Sequence, residues 1–379
     1  MKRIAVLGTG LVGRTIAGDL VTEQTFAVTA WDRSEEALEC LPRTENLVTR
    51  RADLSRSDEL RRAVAEADVV VVAVPGFLGA AVLRGAIEAS KPVVDISFAP
   101  EDPLALADLA RARGVPAVVD CGVAPGLSNL LVGSSAAEMD DVIEATILVG
   151  GLPARRVWPW EYRAVFSPTD VIEEYTRPSR FRCNGFEVVR PALSDVELVD
   201  LPEVGTLEAF NTDGLRTLLR TIPARTIREK TLRYPGHAEK VRLLRDAGFF
   251  REEALQVGDV RVAPRALTEK LLFASWALPR GEEELTVLRV EVTGRKGGGE
   301  RHDVWNLLDR TDRATGNTSM ARTTGFPCAL VARMLADGTW AEPGVHPPEI
   351  LGRHSGITAR ILAGLEKRGV RVRRETTGS

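Results

Sequence analysis

RIAVLGTGLVG, residues 3–13, is the stretch that decides the fold. A short apolar run stops at Gly8, and Gly8, Gly10 and Gly13 fall in G-x-G-x-x-G spacing. LVGRTIAGDLV then has helical periodicity, and FAVTAWD reads as a second strand ending at Asp32, 19 residues after Gly13. Strand, glycine turn, helix, strand and acid in this order are the context that makes the glycine pattern specific for a dinucleotide. Gly8 is expected to make the tight turn, and Gly10 to admit the pyrophosphate to the backbone. Gly13 lets the helix sit close to the strand. Leu11 and Val12 open the helix, whose unbonded N–H groups face the phosphates. An acid at Asp32 suits a ribose 2′-hydroxyl and repels a 2′-phosphate, so NAD is expected over NADP. Arg33 and Ser34, next in the chain, are the residues that could hold the phosphate of NADP.

The alternation continues to residue 120. NLVTRRADL, DVVVVAVP, PVVDIS and PAVVDCG read as strands three to six, separated by helices in SRSDELRRAVAEA (with Ser55 as cap), FLGAAVLRGAIEAS and PLALADLARARG. Continuous apolar strands alternating with helices imply an α/β, doubly wound parallel sheet covered on both faces. Ligands bind at the carboxyl ends of such strands. That places Asp53, Val74, Pro75, Asp95 and Asp120 on the cofactor edge, with Cys121 beside them, where a cysteine reads as a small buried apolar residue. In VVDCGVAPGLSNLLVG, residues 118–133, the apolar run stops at Asp120, a turn carboxylate or a catalytic one. Gly122, Pro125 and Gly126 read as the turn that leads the chain out of the nucleotide domain.

The bulk composition excludes several classes. With 379 residues there is room for two domains. A net charge of −3 gives no pull toward nucleic acid or an anionic membrane. No apolar run approaches the roughly 20 residues of a membrane span, and the N-terminal run is cut by glycines, which argues against a signal peptide. The cysteines, Cys40, Cys121, Cys183 and Cys328, are scattered and form no C-x-x-C, which argues for reduced, mostly buried thiols in a cytoplasmic protein and against a zinc site.

Beyond residue 124 the periodicity changes. DVIEATILVGGLP, GFEVVRP, DVELVDLP and LTVLRVEVTGRK alternate as half-buried strands. Helices are expected at DGLRTLLRT, HAEKVRLLRDAGFF and APRALTEKLLFASWAL. SMARTTGFPCALVARMLADG closes the pattern as a helix capped by Thr318 or Ser319. The expected organisation is a Rossmann domain over 1–123, an α+β substrate domain with a mixed or antiparallel sheet over 124–318, and a helical segment over 319–370 that returns to the Rossmann domain. An open sheet face in the substrate domain implies a homodimer.

Seven further stretches carry a resemblance. They are DCGVAPGLSNLLVG (120–133), GGLP (150–153), FSPTDVIEEYTRP (166–178), LEAFNTDGLRTLL (207–219), KTLRYPGHAEKV (230–241), SMARTTGFPCALVARML (319–335) and GVHPPEILG (344–352). With them the chain resembles the saccharopine dehydrogenase-like family, most of all its lysine 6-dehydrogenase branch. The resemblance implies NAD-linked oxidation of the ε-amine of L-lysine to the 6-semialdehyde, which can cyclise. The alternatives are a saccharopine or carboxynorspermidine-type substrate, or a cofactor-bound regulatory protein without turnover.

Such chemistry needs a base for the substrate ammonium and an anchor for its carboxylate. Asp120, Glu173, Tyr175 and His237 are the candidate catalytic groups. EEYTRP reads as extended, so Glu173 and Glu174 would face opposite ways. Arg216, following Gly214 at a helix start, is the expected carboxylate anchor, with Arg163, Arg177 and Arg322 next in line. Asp213 is expected to cap that helix or to meet the substrate ammonium. Gly150 and Gly151 are expected to let substrate or nicotinamide approach the backbone.

Overall fold

The computed structural model describes residues 1–279 and 281–378. The chain divides into two compact units, one of residues 1–140, 216–222 and 321–372, the other of 141–215, 223–320 and 373 onward.

The first unit is built on a seven-stranded sheet. Its strands are β1 (Lys2–Leu7), β2 (Phe26–Asp32), β3 (Leu47–Arg51), β4 (Val69–Val72), β5 (Val93–Asp95), β6 (Pro116–Val118) and a last strand Gly344–His346. They lie in the order 344–346, β6, β5, β4, β1, β2, β3, all parallel. β4 consists of four valines, all buried, as a central strand covered on both faces requires. Helix α1 (Leu11–Leu20) buries Gly13, Ile16, Ala17 and Leu20. The six strands expected from the sequence are present. The seventh is contributed by the C-terminal segment, too short at three residues to show a period.

Two local expectations are corrected here. Helix Ser57–Ala65 is N-capped by Arg56, not Ser55; the Ser55 hydroxyl instead donates to Asp53 Oδ1 at 2.7 Å. The glycines after Asp120 do not lead the chain out of this unit. Helix Leu127–Ala137 stays within it, and a side chain on Gly133 would come within 2.2 Å of the Glu349 carbonyl oxygen. The chain crosses to the second unit after Asp140. C-terminal helices complete the first unit, and Asp19 of α1 accepts from both Arg333 and Arg368 at 2.6–3.0 Å.

The second unit carries a nine-stranded mixed sheet. Its main path runs 197–201, 205–211, 226–233, 141–153, 284–296, 299–310 and 372–378, with the hairpin 179–183/186–190 attached to 226–233. Strand 226–233 is parallel to 141–153, and 284–296 is antiparallel to it. Residues 205–211, 226–233 and 299–310 form strands that the sequence pattern does not announce, because charged and apolar residues alternate irregularly in them. FSPTDVIEEYTRP is not extended. It contains a helix over Pro168–Thr176, with Pro168 in its first turn and the Ser167 hydroxyl accepting from Asp170 N–H. DGLRTLLRT is helical only over Leu218–Thr221. Among the described residues no helix is long and apolar enough to cross a membrane.

Candidate active site

The glycine turn of the first unit is shaped by close approach. Gly8 has φ +95°, and a side chain there would strike the Ala73 carbonyl oxygen at 2.4 Å; one on Gly13 would meet the Gly8 carbonyl oxygen at 2.1 Å. Gly10 differs: a side chain there would meet no atom within 4 Å. It is the N-cap of α1 and no side chain caps that helix. The helix therefore offers unbonded N–H groups beside an open cradle, which fits a pyrophosphate. Asp32 closes the cradle. Its Oδ2 accepts from Thr9 N–H at 2.7 Å and Thr9 hydroxyl at 3.1 Å, and its Oδ1 accepts from Ser34 N–H at 2.9 Å. Ser34 itself caps the helix Glu35–Glu39 through Ala37 N–H. The Val74 amide lies beside Gly8 and Pro75 is the N-cap of helix Gly76–Glu88, so the end of β4 lines the same edge. Asp53 is turned to its own loop, accepting from Ser55.

At the ends of β5 and β6 a second group assembles. Asp95 is buried and accepts from Ser97 N–H and hydroxyl at 2.9 and 2.6 Å. Burial, and then the nearby Asp120 charge, push its carboxyl up to about 7 against the pull of Ser97 and Arg216. Asp120 sits at φ +52° and is gripped by Arg216 through Nε at 3.2 Å and Nη2 at 3.1 Å. Both side chains are nearly inaccessible, at 4% and 1%. Arg216 Nη1 also donates to the Ala99 carbonyl at 2.6 Å and Nη2 to that of Glu101. Its guanidinium is thus committed to the protein and lies in the nucleotide unit. The expectation of a free substrate anchor is corrected: this fork already holds a carboxylate, Asp120. Residues 216–222 are fastened there further, since Thr221 donates to the buried Glu349 at 2.6 Å and Arg220 pairs with Asp102. Cys121 is buried, its N–H donating to the Asp95 carbonyl at 2.9 Å. Burial pushes its thiol far up, so it is no nucleophile.

In the second unit, helix Pro168–Thr176 and helix His237–Asp246 bring Tyr175 and His237 together. His237 is fully buried. Its Nδ1 lies 2.7 Å from the Trp160 carbonyl, which can only accept, so Nδ1 carries the proton. Nε2 is then the acceptor, and the Tyr175 hydroxyl donates to it at 2.8 Å. Burial, reinforced by the Arg233 charge, lowers the imidazole to about 3, so His237 is neutral. Burial raises the Tyr175 phenol to about 12. Arg233, also buried, donates to the Tyr175 oxygen at 3.2 Å and to Glu174 at 3.0 Å, and lies 4.6 Å from the Tyr162 ring centroid. Tyr162 and Trp276 pack edge to face beside it.

Several expected site residues are placed elsewhere. Glu173 is not with Tyr175 and His237. It pairs with Arg265 at 2.6 Å and Arg177 at 3.7 Å. Because the segment is helical, successive residues turn by about 100°, and Glu174 is the glutamate that joins the Tyr175 group. Asp213 caps no helix: it accepts a fork from Arg180 at 3.0 and 3.0 Å, and the cap of the short helix is Thr217. Gly150 and Gly151 admit protein rather than ligand. A side chain on Gly150 would meet the Leu232 carbonyl oxygen at 2.5 Å, and one on Gly151 would meet Met320 and Val165 at 2.5 Å. Arg163 donates to the Ser275 carbonyl, and Arg322 to that of Arg368. Arg233 and Ser97 are the site residues that sequence reasoning passed over, and Glu174 is the glutamate it named but set opposite the candidate Glu173. The first stands in KTLRYPGHAEKV, four residues before His237, and that proximity was the available signal.

The glycine cradle, the acid ending β2 and the parallel sheet define a protein that binds a nicotinamide dinucleotide. The chain belongs to the saccharopine dehydrogenase family: residues 4–118 match the saccharopine dehydrogenase NADP binding domain and 122–370 the saccharopine dehydrogenase C-terminal domain. It is 24% identical over 442 residues to the alpha-aminoadipic semialdehyde synthase, mitochondrial, of Bos taurus, covering 96% of this chain but 47% of that one. The corresponding Arabidopsis thaliana protein is covered over 27% of its length, so the chain spans half or less of these two relatives. The saccharopine dehydrogenase [NADP(+), L-glutamate-forming] of Pyricularia oryzae is 23% identical, with 92% of this chain and 93% of that one covered. The solved apo saccharopine dehydrogenase (L-Glu forming) of Saccharomyces cerevisiae superposes over 100% of both chains with a TM-score of 0.81 at 19% identity, a shared fold.

Proposed function

We propose that this chain is an NAD-dependent dehydrogenase acting at an amine-bearing carbon of an amino acid, and that its substrate is L-lysine, oxidised at C6. The observation that carries the reading is the open cradle at Gly10 closed by the Asp32 carboxylate, in a chain whose two parts both match saccharopine dehydrogenase models. The bound dinucleotide supplies the hydride acceptor. The protein's own groups have the remaining tasks. The ε-ammonium must lose a proton, C6 must give up hydride, and the resulting imine must take up water and release ammonia to leave the 6-semialdehyde. Asp120, held in place by Arg216, and the Tyr175–His237 pair are the proton-handling groups in this reading. The neutral imidazole accepts at Nε2, and the phenol links it to Arg233. NAD is favoured because Asp32 would face a 2′-phosphate with a negative charge.

A second reading is a saccharopine-type substrate, a secondary amine joining two amino acids. It is favoured by the relatives matched over nearly their whole length, which carry that name, and by a 22% identical carboxyaminopropylagmatine dehydrogenase of Synechocystis. The purified chain is incubated with NAD and, separately, L-lysine, saccharopine and carboxynorspermidine, and nicotinamide absorbance is followed. Turnover of lysine supports the first reading, and turnover confined to saccharopine or the carboxy-polyamine supports the second. No turnover with any, NAD still binding, leaves a regulatory protein.

A further inference from the structure

Two acids and one base are buried together where β5 and β6 end. The strands are parallel neighbours, with Val93 beside Ala117 and Val94 beside Val118, so Asp95 and Asp120 stand at adjacent strand ends. The Cys121 N–H ties those ends together by donating to the Asp95 carbonyl at 2.9 Å. Asp95, Asp120 and the Arg216 side chain are all nearly inaccessible. The guanidinium is committed to Asp120 and to the Ala99 and Glu101 carbonyls, and it lies 5.6 Å from the Phe98 ring centroid. The donors to Asp95 are neutral, the Ser97 N–H and hydroxyl, both on Oδ1; Arg216 acts on it through space. Ser97 is fixed in turn by helix Gly76–Glu88, where a side chain on Gly79 would come within 2.0 Å of the Ser97 hydroxyl oxygen. The Cys121 and Cys328 thiols also lie near Asp95, but burial pushes both far up and they bring no charge.

Two carboxylates and one guanidinium, all out of water, carry one uncompensated negative charge unless a proton is bound. Asp95, the acid without a cation of its own, is where that proton resides. Burial first, and the Asp120 charge after it, push the Asp95 carboxyl up to about 7. A like charge brought beside a carboxylate favours its taking a proton, and two such acids titrate as a coupled pair. We infer that Asp95 is a positioning residue for Asp120: while protonated it leaves the guanidinium to Asp120, and once ionised it competes for that one cation and readies Asp120 to accept a proton from the substrate. This rests on the reading of the chain as a dehydrogenase at an amine-bearing carbon. The step is a proton transfer in which the substrate N–H bond breaks and an O–H bond forms on Asp120. The electron pair left on nitrogen then assists the departure of hydride from carbon to the bound dinucleotide. The rate of oxidation accordingly rises with pH as Asp95 ionises.

The test follows the Arg216 Nε–H resonance by nitrogen NMR of the arginine-labelled full chain between pH 6 and 9, assigned by its loss in Arg216→Lys. In wild type the resonance is expected to titrate with a midpoint near 7. Asp95→Asn keeps an acceptor for Ser97 and cannot ionise, so there the resonance stays still. Ser97→Ala removes a donor that stabilises the ionised form, so the midpoint moves to higher pH; this variant decides the matter should Asp95→Asn fail to fold. With NAD and the substrate that is turned over, wild-type kcat/KM rises through the same midpoint. Asp95→Asn matches wild type at pH 6 and falls about tenfold below it at pH 9, whereas a merely structural loss lowers the rate equally at every pH. A wild-type resonance that does not titrate overturns the inference. So does one that titrates alike in Asp95→Asn or keeps its midpoint in Ser97→Ala, or an Asp95→Asn rate profile parallel to that of wild type. A resonance that titrates as expected in a protein that oxidises none of the amines contradicts the dehydrogenase reading and leaves the coupling of Asp95 to Arg216 standing.

Discussion

Asp32 carries more of the cofactor reading than any other residue, and its role is open to a simple substitution. Asp32→Ala removes a charge-assisted acceptor worth about 1.5–3 kcal/mol. NAD affinity, measured by fluorescence quenching, is expected to fall about tenfold or more, and the preference over NADP to vanish. Tyr175→Phe keeps the ring and removes the oxygen between Arg233 and His237. Its kcat is expected to fall about a hundredfold, within the span of general acid–base contributions, while the NAD dissociation constant stays unchanged. Asp120 and Arg216 form a buried pair, and removing one partner strands the other; Arg216→Ala should cost about 3–5 kcal/mol of stability in urea unfolding. Arg216→Met combined with Asp120→Leu should recover most of it. The glycines and Asp32 were legible in the sequence because their geometry is local. The Arg216–Asp120 pair spans 96 positions, and nothing in either neighbourhood names the other, so Arg216 reads from sequence as a free anchor.

Among the elements, strand 226–233 contributes the buried Glu229, which accepts from the Thr212 hydroxyl at 2.7 Å and from Gly214 N–H at 3.1 Å. Burial pushes its carboxyl up to about 8. A folded-state value above the unfolded one means the native protein binds the extra proton, so the associated stability is complete below about pH 4.5 and is lost as pH rises through 8. Glu229→Gln retains an acceptor for both bonds and does not titrate. Between pH 6 and 9 the variant's melting temperature should decline less than that of wild type; a parallel decline would remove Glu229 as the cause. The same strand shows where periodicity fails. TIREKTLR places Glu229, Lys230 and Arg233 in a buried strand, because each is held by a partner distant in sequence, and no alternation survives. FSPTDVIEEYTRP misleads in the other direction: Ser167 and Pro168 are the start signals of a helix, and reading its acidic run as a strand assigned Glu173 the place that Glu174 holds.

At the scale of the whole molecule, the order of the β–α alternation was legible through residue 120, since buried parallel strands carry uninterrupted apolar runs. The division into units was not. Residues 216–222 lie far along the chain from β6 yet belong to the first unit, held by Asp120, Glu349 and Asp102, and such a return has no signature in a single sequence. The central claim concerns which carbon of the substrate yields hydride. L-Lysine carrying deuterium at C6, incubated with NAD and the purified chain, should give reduced cofactor labelled with deuterium by mass spectrometry, while L-lysine deuterated at C2 should give unlabelled cofactor. Label arriving from C2, or no reduction of NAD by lysine at all, would contradict the account.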